Sequence, residues 1–180
     1  MAETSGSATG RSRMVTGLFR DRESAERAYN SVTTRGYSND DVNLLMSEDT
    51  RKKHFTDDGR ETELGNKALE GGATGAAIGG TVGATLAAIA AIGTTLVLPG
   101  IGLLVAGPIA AGLAGAGAGG ATGGLIGALV GAGIPEERVK HYEQGLKEGG
   151  IVMGVTPRSD EDAEYFEREW KSYRGEEVYR

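Results

Sequence analysis

The hydrophobic and polar positions alternate in three different rhythms along the chain. Met14–Arg20 is a short apolar run that predicts a buried strand. Asp21 follows as a helix cap, and Ala25, Ala28, Tyr29 and Val32 recur at i, i+3, i+4 and i+7 on one helical face, with Gly36 as the stop. Val42, Leu44 and Met46 then alternate, which predicts a second strand. A comparable order returns near the other end. Pro135 opens a helix at its first position, with Glu136 and Glu137 in the first turn where the helix dipole favours them. Val139, Tyr142 and Leu146 mark its apolar face, and Gly149-Gly150 ends it. Ile151–Val155 predicts a strand, Ser159 or Asp160 caps a helix carrying Ala163, Phe166 and Trp170, Gly175 stops that helix, and Val178-Tyr179 is a last edge strand.

The two halves resemble each other. Val15-x-Gly17-Leu18 parallels Val152-x-Gly154-Val155, Ala25-Glu26 parallels Ala163-Glu164, and Gly36 parallels Gly175. Two β-α-β units sharing one antiparallel sheet, with helices on one face, give an α+β fold of the ferredoxin-like sandwich type. Phe166, Trp170 and Tyr173 belong in its core.

Between the halves the rhythm changes to a period of four. Gly71, Gly75, Gly79, Gly83, Ala87 and Ala91 form one series, and Gly107, Ala111, Gly115, Gly119, Gly123 and Gly127 a second. Small residues at this spacing put a bare stripe on a helix, so another backbone can approach closely. Pro99-Gly100 marks a turn. An antiparallel fold about Pro99 sets Gly71 opposite Gly127, Gly75 opposite Gly123, Gly79 opposite Gly119 and Gly83 opposite Gly115. The expectation is a long two-helix glycine-zipper hairpin that interrupts the sandwich. The stripe drifts by about 40° per step around a 3.6-residue helix, so it meets a second chain as well as its own partner, which implies a homo-oligomer.

Composition sharpens the division. The chain has 180 residues, 31 glycines and no cysteine. The 65 residues from Gly71 to Pro135 carry no Asp, Glu, Lys or Arg and hold 20 of the glycines. Residues 1–13 are small and polar and read as a disordered tail without the apolar core of an export signal. The units are therefore a tail (1–13), the first half of the α+β domain with a charged connector (14–66), the hairpin (67–134) and the second half of the domain (135–180). Gly71–Leu98 exceeds the ~20 residues that cross a bilayer. Its strongly apolar residues, among them Ile78, Val82, Leu86, Ile89 and Ile92, supply only roughly −2 to −5 kcal/mol towards insertion. A bundle buried inside a soluble oligomer is the alternative. If the hairpin inserts, both flanks lie on one side, and the basic residues around it place the charged domain in the cytoplasm. Membrane lipid then becomes a partner, and Arg51, Lys52 and Lys53 are the candidate headgroup contacts.

The chemistry implied is sparse. The lack of cysteine excludes disulfides and thiolate sites, and a net charge of −6 is no nucleic-acid footprint. Gly115-x-Gly117-x-x-Gly120 fits the dinucleotide fingerprint by letter, but Ala110–Ala114 before it is no strand. His54 and His141 have no acid or nucleophile partner in sequence, and Asp57, Asp58, Glu61 and Glu63 miss the EF-hand spacing. No catalytic, cofactor or metal site is expected, and no enzyme. A ligand-binding module on the sheet is a further alternative without a named ligand.

Val15–Phe55, the glycine zipper, and GIPEERVKHYEQGLKEGGIVMGV at Gly133–Val155 together resemble a bacterial family of general stress, heat-induced or low-temperature-induced proteins. The resemblance implies a stress-linked, non-enzymatic protein associated with a membrane, and it transfers no catalytic residue. The combined expectation is a non-enzymatic stress protein, inserted in or associated with the inner membrane of a bacterium or else cytoplasmic, that self-assembles through Gly71, Gly75, Gly79, Gly83, Gly107, Gly115, Gly119, Gly123 and Gly127 around a turn at Pro99 and Gly100.

Overall fold

The computed structural model describes residues 14–54, 102–110, 129–131 and 133–180. Five strands and four helices of that part follow the order β1 (Val15–Phe19), α1 (Arg22–Thr34), β2 (Val42–Ser47), α2 (Glu48–His54), β3 (Leu103–Ala106), α3 (Glu136–Lys147), β4 (Ile151–Val155), α4 (Asp160–Ser172) and β5 (Glu176–Tyr179). The strands form one sheet in the order β3-β2-β4-β1-β5, and every neighbouring pair is antiparallel. The fold is α+β. β4 is central, pairing Val155 with Val15 on one side and with Val42 on the other.

The helix boundaries follow local chemistry. Asp21 accepts a hydrogen bond from the Ser24 amide at 2.7 Å, and Ser159 accepts one from the Asp162 amide at 3.1 Å, so both predicted caps satisfy an amide that a helix start leaves orphaned. Pro135 is the N-cap of α3, one position before its expected place. Gly175 follows α4, but Arg174 takes the left-handed backbone, with φ of 62°. Gly175 is needed for space: a Cβ there would lie 2.6 Å from the Trp170 carbonyl.

The sheet is covered on both faces, which corrects the expectation of helices on one. On the first face, α1 and α4 close over Phe19, Val42, Leu44, Met46, Met153 and Val155. Trp170 is fully buried there, and its indole N–H donates to Ser31 Oγ at 3.2 Å. Phe19 and Phe166 lie around it with ring centroids 5.8 and 6.3 Å away. On the second face, Val139, Tyr142 and Leu146 of α3 close over Leu18, Leu45 and Val152. Gly145 lets α3 approach this closely, since a Cβ there would meet Leu18 Cδ2 at 2.3 Å. Ile109, Ala110, Leu129 and Ile134 complete the second layer.

The second correction concerns the uncharged block. Leu103–Ala106 lies within the segment expected to be a helical arm, yet it is β3, paired with β2 in the register Leu44↔Ala106, Leu45↔Val105, Met46↔Leu104 and Ser47↔Leu103. Its four residues alternate between the two layers, Leu104 and Ala106 to the first and Leu103 and Val105 to the second. A continuous apolar run fits a strand buried on both sides. The breakers around it, Pro99-Gly100 before and Gly107-Pro108 after, set its length.

Candidate functional site

The domain's most specific construction is the edge where the uncharged block docks. Gly102 O accepts the Glu48 amide at the start of α2, the β2–β3 ladder follows, and the chain then turns at Gly107. Gly107 has φ of 95°, and a Cβ on it would sit 2.1 Å from the Val42 carbonyl, so only glycine fits. Its expected role on a helix-packing stripe is thereby replaced by a tight turn against β2. Past the turn, the Ile109 amide donates to Asn43 Oδ1 at 2.8 Å. Asn43 is 1% exposed, and its amide group points Nδ2 at Met14 Sδ, 3.7 Å away. A buried side-chain amide thus satisfies a backbone donor that the end of the ladder leaves over.

The opposite edge is built from polar parts. β5 bulges between its pairings with Thr16 and Leu18, and Glu177 there has φ of 49°. The Tyr142 hydroxyl, rising from α3 through the second layer, donates to the Glu177 carbonyl at 2.7 Å and lies 2.7 Å from Thr16 Oγ1. Burial pushes the Tyr142 phenol up to about 12, against a smaller opposing effect of the Thr16 hydrogen bond. Arg20 joins Glu148 at 2.5 Å and Glu176 at 2.9 Å at the rim of this edge. A third polar cluster ties α1 to α4. Tyr37 donates to Asp162 Oδ2 at 2.7 Å and accepts the Arg158 amide at 2.7 Å, while the Arg158 guanidinium lies 4.0 Å from the Tyr37 ring centroid and 3.0 Å from Asp41. Burial, followed by the Asp162 carboxylate, raises the Tyr37 phenol.

These clusters hold elements together. Among the described residues no group of His, Asp and Glu has the spacing to hold a metal. A cavity of about 230 Å³ opens beside the start of α3, lined by Met14, Gly133, Ile134, Pro135 and Arg138. Its single charged group, Arg138, stacks 4.1 Å from the Tyr179 ring centroid.

The predicted site residues divide sharply. Gly71, Gly75, Gly79, Gly83, Gly115, Gly119, Gly123, Gly127, Pro99 and Gly100 lie outside the described residues, as do Asp57, Asp58, Glu61 and Glu63. Arg51, Lys52 and Lys53 form the last turn of α2, with Lys52 and Lys53 exposed and Lys52 paired with Glu48 at 2.9 Å. His54 ends that helix, its imidazole held below the ordinary value by burial and then by Lys53 and Arg22, and His141 lies exposed on α3. Sequence reasoning missed β3, Asn43 and the Tyr142–Glu177 bond. The paired breakers around Leu103–Ala106 were the available signal for the first.

No protein-family model, no curated protein and no solved structure matches the chain.

Proposed function

We propose that this is a non-enzymatic, self-assembling protein: a homo-oligomeric scaffold whose α+β domain gathers the ends of the two connections that carry uncharged sequence and presents that sequence to other copies. The observation that carries the reading is the position of β3. Strand β3 divides the uncharged block, so residues 55–101 connect His54 to Gly102 and residues 111–128 connect Ala110 to Leu129. Ala110 and Leu129 are buried in the same layer of the domain. A stretch that leaves and returns to one side must cross a bilayer twice, which takes about 40 apolar residues. Gly71–Ile101 offers 31 and residues 111–128 offer 18. Glu70 and the charged residues before it are costly in hydrocarbon and cannot extend the first. Among the described residues no helix is long and apolar enough to cross a membrane. These lengths favour association between copies over a transmembrane hairpin.

The glycine stripes supply the chemistry of association, since helices with bare stripes gain contact only where another backbone fills the groove. The ferredoxin-like reading belongs to the same proposal. The strand order β5-β1-β4-β2, with α1 and α4 on one face, supports it, while β3 and α3 are additions to that plan. The stress-linked role rests only on the resemblance carried by Val15–Phe55, the glycine zipper and Gly133–Val155.

Sedimentation of the detergent-free full chain, together with a carbonate wash of membranes from expressing cells, tests the proposal. The expected result is a species several times the 18.6 kDa chain mass, released into the supernatant. A monomer, or protein retained in the washed pellet, overturns it. Attachment to a membrane surface is the second reading, favoured by exposed Lys52 and Lys53 beside the start of the first stretch. Release from anionic vesicles by salt is its signature.

A further inference from the structure

Among the described residues, the polar anchors of residues 102–110 on the rest of the domain fall on one short stretch of chain. Glu48 donates to Gly102, Val42–Ser47 forms the strand that receives β3, the Val42 carbonyl shapes the turn at Gly107, and Asn43 accepts the Ile109 amide. β3 has a single strand neighbour, and the connections on either side run to 47 residues (55–101) and 18 residues (111–128). Chains of those lengths reach at most about 160 and 60 Å, against a radius of gyration near 13 Å for a domain of this size.

We propose that residues 102–110 are an exchangeable strand, and that the β2 edge of one copy receives this segment from a second copy of the chain. The proposal rests on the self-assembly reading and names the contact it uses. Every polar anchor lies on 42–48, and Leu103, Val105, Ile109 and Ala110 pack in the second layer with α3, so a segment donated by a neighbour meets the same bonds and the same layer as the chain's own. The contacts of the closed and exchanged forms are then equal, and the balance between them is set by how concentrated the copies are around one another. Assembly through the glycine stripes raises that concentration. The receiving edge also has to be filled. Without β3, Leu44, Leu45 and Met46 would present a bare apolar ladder, which is the surface that β-strand addition recognises. β5 offers no such alternative, because its bulge and its glutamates break the ladder.

The absence of native cysteine allows a clean test. Leu45→Cys is made in one preparation and Val105→Cys in another; the two positions face each other in the ladder, within reach of a disulfide. The two full-length variants are unfolded together, refolded and oxidised, and each is also treated alone. Exchange predicts a covalent dimer at twice the chain mass, several-fold more abundant in the mixture than in either variant alone. Dimer no more abundant than in the single variants, with an intramolecular disulfide closing in the doubly substituted chain, overturns it. Met46→Cys with Leu104→Cys, on the opposite face of the same ladder, repeats the test should the first pair fail to fold. Sedimentation of the same samples separates the two readings. An oligomer with only intramolecular disulfides sinks exchange and leaves self-assembly standing, whereas a monomer sinks both.

Discussion

At one edge of the sheet β3 runs Leu-Leu-Val-Ala and is at most 2% exposed; at the other β5 runs Glu-Glu-Val-Tyr and buries one residue in four. Both are four residues long, and both need their backbone groups managed, because a free strand edge is a template for further pairing. β5 manages this with a bulge, a left-handed Glu177 whose carbonyl accepts one phenol from α3, and flanking charge. β3 uses none of these devices. It is held by fit: a glycine against a carbonyl and a buried amide against a backbone donor. The charged part of the chain ends its own sheet, while the uncharged part is taken into the sheet as a strand. The difference locates where the two materials of this chain meet, and it makes the β2 edge the place where their association is decided.

The contrast can be broken by substitution, and the largest effect belongs to the fitted edge. Gly107→Val forces a side chain into the Val42 carbonyl and a β-branched residue into positive φ. It should cost on the order of 4 kcal/mol, read as a fall in the urea midpoint with an unchanged slope if the domain survives and as loss of the transition if it does not. Asn43→Ala comes next. It strands the buried Ile109 amide, and a loss of about 2 kcal/mol is expected by the same titration. Tyr142→Phe removes the hydroxyl that fixes the bulge, with a loss of about 1 kcal/mol at neutral pH. It also changes the alkaline limb of stability. The folded phenol holds its proton to about pH 12 and the unfolded one releases it near 10, so folding is favoured fully below pH 10 and loses up to about 3 kcal/mol as pH rises to 12. Denaturation at a series of pH values should show a steeper alkaline loss in the native chain than in the phenylalanine variant, whose other raised phenols, Tyr29 and Tyr37 among them, still contribute. Arg20→Ala should be the mildest. Its pairs with Glu148 and Glu176 are half exposed, so less than about 1 kcal/mol is at stake, and salt should shrink it further. If Arg20→Ala proves costlier than Gly107→Val, the charged edge and not the fitted one holds the sheet together.

Much of the domain was legible because local rules and tertiary packing agree. The alternation of Val42, Leu44 and Met46, the caps at Asp21 and Ser159, and the face of Ala25, Ala28, Tyr29 and Val32 all stand where the pattern put them. Asn43 was not legible. In a period-two strand a polar residue between Val42 and Leu44 reads as solvent-facing, and it becomes buried only because a second layer covers that face. Tyr142 was legible as core but its bond was not, since the partner is a main-chain carbonyl 35 positions away, turned inward by a bulge that no motif announces. β3 was hidden by arithmetic. The two small-residue series lie on either side of it in the same phase, with Gly107 falling on the period of four by position while serving a turn by conformation. Of the candidate association residues, Gly107 is the one whose surroundings are described, and there a carbonyl and a positive φ outweigh the stripe.

The central place of β4 carries a consequence for synthesis. β1 and β2 are not neighbours; each waits for β4, which lies about a hundred residues beyond β2 in the chain. A ribosome adding 5–20 residues each second takes roughly 5–20 s to cover that distance. Among the described strands, the pairing open to the emerging chain in that interval is β2 with β3, once Ala106 has been added, and the whole uncharged block leaves the ribosome before its domain can close. The nascent protein therefore passes through a window in which its apolar half is finished and its charged half is not, and its yield in the cell should depend on whatever shields that half until Ile151 emerges.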